Sequence, residues 1–146
     1  MKNKLFEGTN ANVYITLIGA KNETEKFWLD KSKVKSKNKN LFEAGNIDEF
    51  LVTSNIELDK LHQIRIGHDN TGFNSGWHLE KVEVINKNDN TLYLFLCNRW
   101  LSKDEDDGRI ELVLPEPKDK IKENVKLKIE MKHDEPISNF YLFLLI

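Results

Sequence analysis

Apolar and polar residues alternate in short segments along most of the chain, and this period of two is typical of β-strands with one buried face. The alternation is clearest in residues 125–132, where apolar residues alternate with lysine and glutamate. Residues that favour turns, mainly glycine, asparagine, aspartate and serine, separate the segments. The predicted strands are 12–19, 25–30, 48–53, 61–67, 77–86, 92–97, 109–114 and 125–132. Eight short strands without a convincing helix predict an all-β sandwich.

Two segments depart from simple alternation. Residues 92–97 are apolar on both faces, which predicts a central strand packed on two sides. Residues 31–39 carry a lysine at every second position and have little to bury, so they are predicted to form a loop or a strand extension.

Composition agrees with one β domain rich in turns. The chain has 146 residues, about the length of a single domain. Only three residues are alanine, which is few for a helical bundle. Lysine and arginine total 22 against 24 acidic residues, and a net charge of −2 excludes a generally basic nucleic-acid binder. A single cysteine excludes an internal disulfide framework and a zinc site with several cysteines.

No sequence pattern for catalysis or for membrane insertion is found. His68 and Asp69 lie in a predicted turn without a nucleophile motif, and the four histidines lack metal-ligand spacing. Cys97 falls in a strand and is predicted to be an inert core thiol. The apolar run 140–146 is shorter than the roughly 20 residues that span a bilayer, and the basic residues 1–4 lack the apolar stretch of a signal peptide. We expect a non-enzymatic chain, and its compartment stays open.

Four segments, taken in order, resemble one known family. They read GTNANVYITL (8–17), NLFEAGNIDEF (40–50), IRIGHDNTGF (64–73) with a following Gly-Trp pair, and CNRWL (97–101) followed by DEDDG (104–108). This pattern resembles the PLAT domain (polycystin, lipoxygenase, alpha-toxin), also called the lipoxygenase homology domain, and is closest to the tandem-repeat type. The resemblance covers residues 5–115. It implies an eight-stranded antiparallel β-sandwich of two four-stranded sheets, and no catalysis.

The chain departs from the family pattern at its first strand. In the family an alternating strand precedes the Gly-Thr-Asn motif, whereas here only residues 1–7 do. We therefore divide the chain into a sandwich lacking its usual first strand (5–115), a linker (116–124) and a C-terminal strand segment (125–146). Residues 125–132 either fill the vacant first-strand position, as in a circular permutation, or open a next repeat.

The resemblance also implies positions for calcium, which takes six to eight oxygen ligands. Relatives that bind calcium take ligands from three loops. The matching candidate ligands in this chain are Thr9, Asn10, Asn40, Glu43 and Ser75. Only Glu43 is charged, so we expect weak calcium binding or none, with no cofactor required. The alternative is an asparagine-rich network of side-chain-to-backbone hydrogen bonds.

The acidic loop 104–107 does not have the spacing of an EF-hand. We predict that it forms a solvated turn or holds Arg99 or Arg109.

Two groups of residues are candidates for membrane contact. Trp100 is predicted to lie on the loop after strand 92–97, and in relatives that bind membranes a tryptophan at the matching position enters the bilayer interface. Phe73 is predicted to lie at the crown of a Gly-Asn turn. Lys33, Lys35 and Lys37 are candidates for contact with anionic lipid, and the alternative is a solvated loop. The first hypothesis is therefore a non-catalytic membrane-targeting module of a larger, tandem-repeat protein. The second is a protein–protein interaction or structural repeat that is independent of lipid.

Overall fold

A computed structural model describes residues 8–30, 41–43, 45–58, 60–72, 75–115, 120–122 and 138–146. Every regular element in these ranges is a β-strand. The strands are β1 (Val13–Gly19), β2 (Phe27–Trp28), β3 (Ile47–Ser54), β4 (Leu61–His68), β5 (Trp77–Asn86), β6 (Thr91–Leu101), β7 (Glu111–Leu114), β8 (Lys120–Lys122) and β9 (Ser138–Leu145).

The strands form two antiparallel sheets. The first sheet has the order β2-β1-β4-β7, and the second has the order β3-β9-β5-β6-β8. The inner faces of the two sheets enclose one core, because alternate side chains along each strand point to the same face. In β1, for example, Val13, Ile15 and Leu17 are almost completely buried.

This architecture confirms the predicted all-β sandwich of two sheets. Beyond the four longer strands of the second sheet, the three-residue β8 pairs with the start of β6. Within the predicted strand 25–30, only Phe27 and Trp28 form β2, with Phe27 in the core and Trp28 largely exposed.

The prediction that residues 92–97 are packed on both faces is wrong. Tyr93 and Phe95 point into the core, but Leu96 is 63% exposed and Leu94 is only half-buried. The apolar outer side chains of this strand therefore belong to the molecular surface, which the pattern of hydrophobic residues alone does not reveal.

A strand from the C-terminal segment lies inside the second sheet. Strand β9 pairs with β3 on one side and with β5 on the other, and Phe140, Leu142 and Leu144 enter the core. Residues 138–145 are thus part of the sandwich. The segments 31–40 and 125–132 lie outside the described residues, so the predictions for them remain predictions.

Candidate functional site

Thr9 joins three loops at one end of the sandwich. Its backbone N–H donates to the Phe42 carbonyl at 2.9 Å, and its hydroxyl donates to the Ser75 carbonyl at 2.7 Å. The same hydroxyl oxygen accepts the N–H of Ala11 at 3.0 Å. The structure therefore brings together the loops that carry the candidate calcium ligands Thr9, Glu43 and Ser75.

Contacts with buried side chains hold the loop that carries Phe42 and Glu43 in its shape. Phe42 has a positive φ of 59°, an unusual conformation for a bulky residue. The Asp48 carboxylate accepts its N–H at 2.7 Å. The ring centroid of Phe42 lies 5.8 Å from the ring centroids of both Phe50 and Trp77. A buried carboxylate and two buried aromatic rings thus hold the strained residue in place.

His68 connects the same end of the first sheet to the second. Its ring Nε2 lies 2.7 Å from the Leu101 carbonyl, and its Nδ1 accepts the N–H of Asn70 at 2.9 Å. These partners require a neutral ring with the proton on Nε2. Burial lowers the pKa of His68, which favours this neutral form of the ring.

Asp69 closes the turn that follows. Its carboxylate accepts the hydroxyl and the N–H of Thr71, and both the backbone and the side-chain N–H groups of Asn12. These hydrogen bonds, the one from the Thr71 hydroxyl first, hold the pKa of Asp69 well below its usual range. The turn is therefore fixed to β1 by a charged group at all physiological pH values.

Trp100 lies on a strand, which corrects its predicted place on a loop after the strand. Strand β6 continues to Leu101 past a register shift against β5, and Trp100 pairs with His78. The two rings meet edge to face with their centroids 5.3 Å apart, and the indole is half-buried. The Asp106 carboxylate accepts the backbone N–H of Trp100 at 2.6 Å.

The acidic loop holds an arginine, as predicted. The Asp107 carboxylate lies 2.7 Å from Nη2 of Arg99 and 3.8 Å from Nε of Arg109. It also accepts the backbone N–H of Arg109 at 3.2 Å. Cys97, two residues before Arg99, packs against the core, and burial raises the pKa of its thiol to about 11, so it stays protonated at neutral pH.

The fold and these loops match a known family. A family model described as the PLAT/LH2 domain matches residues 1–115. The chain belongs to the PLAT/LH2 domain family. This PLAT domain is 43% identical over 101 residues to lipoxygenase homology domain-containing protein 1 of Mus musculus. It is 36% identical over 97 residues to the polycystin family receptor for egg jelly of Mus musculus.

The matched relatives are much longer than this chain. The two alignments cover 69% and 66% of the chain but only 5% and 4% of the relatives. Among solved structures, coral 8R-lipoxygenase superposes with a TM-score of 0.62 at 26% identity, over 76% of this chain and 15% of the enzyme. That enzyme is described as activated by calcium through a C2-like domain. The PLAT domain thus corresponds to a small part of each of these proteins.

The described donor groups of this PLAT domain do not fit a tight calcium site. Glu43 is the one carboxylate among the candidate ligands, while Thr9 and Ser75 are hydrogen-bonded to protein groups. Calcium sites usually supply several carboxylates. In the part of the chain that the structure describes, no group of three or more His, Cys, Asp or Glu side chains is placed to hold a metal ion. Asn40 lies outside that part.

Several predicted contact residues also lie outside the described ranges, namely Phe73, Lys33, Lys35 and Lys37. The structure adds two surface residues that sequence reasoning missed: Ile47 is 53% exposed, and Leu96 is more exposed still. The signal was present in β3, where apolar residues occupy both faces of the strand. The described residues include no helix long and apolar enough to cross a membrane.

Proposed function

We propose that this PLAT domain is a non-catalytic targeting module that holds a larger protein against a membrane surface. The observation that carries the proposal is an apolar rim on the outer face of the second sheet, at the Trp100 end. The rim consists of Ile47, Leu145, Leu96 and Trp100. Cross-strand pairing joins Ile47 to Leu145, Leu145 to Lys81 and Lys81 to Leu96.

The chemistry of this rim suits the interface of a bilayer. Tryptophan favours that region because the indole is apolar but carries one N–H donor. Burying an exposed leucine or isoleucine side chain contributes about 1.5–3 kcal/mol. Two such side chains and an indole support binding of a moderate affinity, in the range expected of one contact among several in a larger protein.

Charged groups extend the same proposal. Lys33, Lys35 and Lys37 would each add about 1 kcal/mol of attraction close to an anionic membrane surface.

Phe73, in the segment between His68 and Trp77, is proposed as a further apolar contact. We propose that calcium is at most an accessory, because the candidate ligands include a single carboxylate.

Co-sedimentation with phosphatidylcholine vesicles, with and without phosphatidylserine, tests the function. Binding of the wild-type chain that Ile47→Asp weakens and Val113→Asp leaves intact would support it, since Val113 is exposed on the first sheet instead. Each vesicle type is assayed with calcium and with a chelator. Absence of binding to all four preparations would remove the proposal.

A second candidate function is lipid-independent binding of a protein partner. One observation favours it: the outer face of the second sheet also presents Glu49 and Glu83 in a cross-strand row with Phe143 and Leu94. Carboxylates among apolar side chains suit a protein surface better than acyl chains. Under this alternative the wild-type chain does not bind vesicles, and Glu49→Gln and Glu83→Gln change only the binding of the protein partner.

A further inference from the structure

A cleft opens where the two sheets part, between the edges of β6 and β7. Its volume is about 750 Å³, which lies within the range of about 300–1,000 Å³ typical of small-molecule sites. Leu96, Cys97 and Arg99 of β6 form one wall, and residues 109–115 form the other. It is separate from the junction of loops at Thr9, and it shares only Leu96 with the apolar rim of the membrane proposal.

Apolar side chains line one part of the cleft, and polar side chains line the rest. Cys97, Leu112 and Leu114 line it on the side of the core, where they pack against other core residues. Leu96 stands at one lip and Val113, which is 48% exposed, at the other. An elongated apolar group is therefore able to remove surface from water on both walls at once.

Two guanidinium groups lie at one end of this apolar surface. Arg99 is held by Asp107 through Nη2, while its Nε is buried and has no hydrogen-bond partner among the described residues. The Arg109 side chain is 70% exposed and lies 3.8 Å from the same carboxylate. Since an arginine offers five N–H donors, Asp107 leaves most of them available.

The carboxylates near this end of the cleft all accept hydrogen bonds or ion pairs from protein groups. Asp107 is shared by the two arginines, and Asp106 accepts the backbone N–H of Trp100. Glu111 also lines the cleft, but its carboxylate accepts a hydrogen bond from the Tyr14 hydroxyl at 2.9 Å, on the outer side of the first sheet. A buried N–H donor without a partner is costly, so an anionic group that accepts from it is stabilised.

We propose that this cleft binds a single-chain anionic amphiphile, a fatty carboxylate. The carboxylate accepts hydrogen bonds from Arg99 and Arg109, and the alkyl chain lies between Leu96 and Val113. The apolar walls select for the chain, and the guanidinium groups select for the anionic end.

Isothermal titration of the full chain with decanoate, below its micelle concentration, tests the proposal. Decanol and acetate serve as ligands that lack the charge and the chain, respectively. One saturable decanoate site per chain, with decanol and acetate at least tenfold weaker, is the expected result. Decanol binding as tightly as decanoate, or no saturable decanoate binding, would overturn the proposal.

Variants assign the site. Arg109→Gln and Val113→Asp should each weaken decanoate binding about tenfold, the cost of one charge-assisted hydrogen bond or of a charge beside the chain. Arg65→Gln and Ile47→Asp are matched controls on other surfaces and should bind like the wild type.

Bound decanoate should also slow alkylation of Cys97. Equal loss in Arg65→Gln, or unchanged binding in both cleft variants, would contradict the assignment. Because Ile47→Asp weakens membrane binding only, the two proposals fail separately.

Discussion

At the scale of single residues, close packing around backbone atoms determines which substitutions the fold tolerates. Gly67 lies in β4 between β1 and β7. A Cβ added there would lie 2.7 Å from both the Ile110 carbonyl oxygen and the Tyr14 hydroxyl. The backbone contact cannot be relieved by rotating a side chain, so the neighbouring strand would have to move.

We therefore predict that Gly67→Ala lowers the free energy of unfolding by about 1–3 kcal/mol, the usual cost of overpacking. Urea unfolding followed by tryptophan fluorescence measures the change. Gly45→Ala is the comparison, because no atom lies within 4 Å of its added Cβ and only its positive φ of 76° is strained. A smaller loss for Gly67→Ala than for Gly45→Ala would contradict the packing argument.

The buried ring of His68 predicts a pH dependence. The pKa of His68 in the folded state is lowered from its ordinary value of 6.5 because burial disfavours the charged ring. The unfolded chain therefore takes up a proton first, so stability is present above pH 6.5 and is lost as the pH falls from there towards the folded-state pKa. Urea unfolding at pH 7.5 and 5.5 should show this loss in the wild type. His68→Asn should reduce the difference between the two pH values. His62→Asn, which changes the half-buried histidine near the start of the same strand, is the matched control and should preserve it.

At the scale of elements, the sequence predicts where the strands lie along the chain far better than which strands pair with one another. Alternation located β4, β5 and β7 to within two residues at each end, because one face of each meets the core and the other does not. Strand order depends on contacts between distant segments, and local periodicity carries no information on it. The place of β9 between β3 and β5 is the clearest example.

This central position predicts a large effect of core substitutions in β9. Leu142 is fully buried, and Leu142→Ala should lower the free energy of unfolding by about 2–5 kcal/mol. Leu145→Ala, in the same strand but half-buried on the outer face, should cost clearly less. Thermal unfolding of the two variants measures both effects. Equal, small losses would mean that β9 is not an integral strand of the second sheet.

The candidate site shows the same limit of sequence reasoning. The resemblance to the family identified the three loops that meet at Thr9. The acidic loop 104–107 was predicted to form a solvated turn or to hold Arg99 or Arg109, and Asp107 holds Arg99. The surface role of Leu96 was missed because an apolar run of six residues looks the same whether its second face is covered or open. The cleft between β6 and β7 was missed because these consecutive strands join different sheets, and local periodicity does not reveal where the two sheets part.

At the scale of the whole molecule, the sandwich presents different chemistry on its two outer faces. The outer face of the second sheet carries the apolar rim with Trp100, and the first sheet carries the exposed Trp28 beside Tyr14 and Lys26. Trp77, the third tryptophan, is completely buried in the core. The central claim is that the Trp100 rim contacts the membrane, and these three environments allow a direct test.

That test is quenching of tryptophan fluorescence by vesicles of brominated phosphatidylcholine and phosphatidylserine. In the variant Trp28→Phe, Trp100 is the remaining tryptophan at the surface, and its fluorescence should be quenched on binding. In Trp100→Phe, where Trp28 lies on the opposite sheet, quenching should be lost. Quenching of Trp28 instead, or of neither tryptophan while the chain co-sediments with vesicles, would contradict the account.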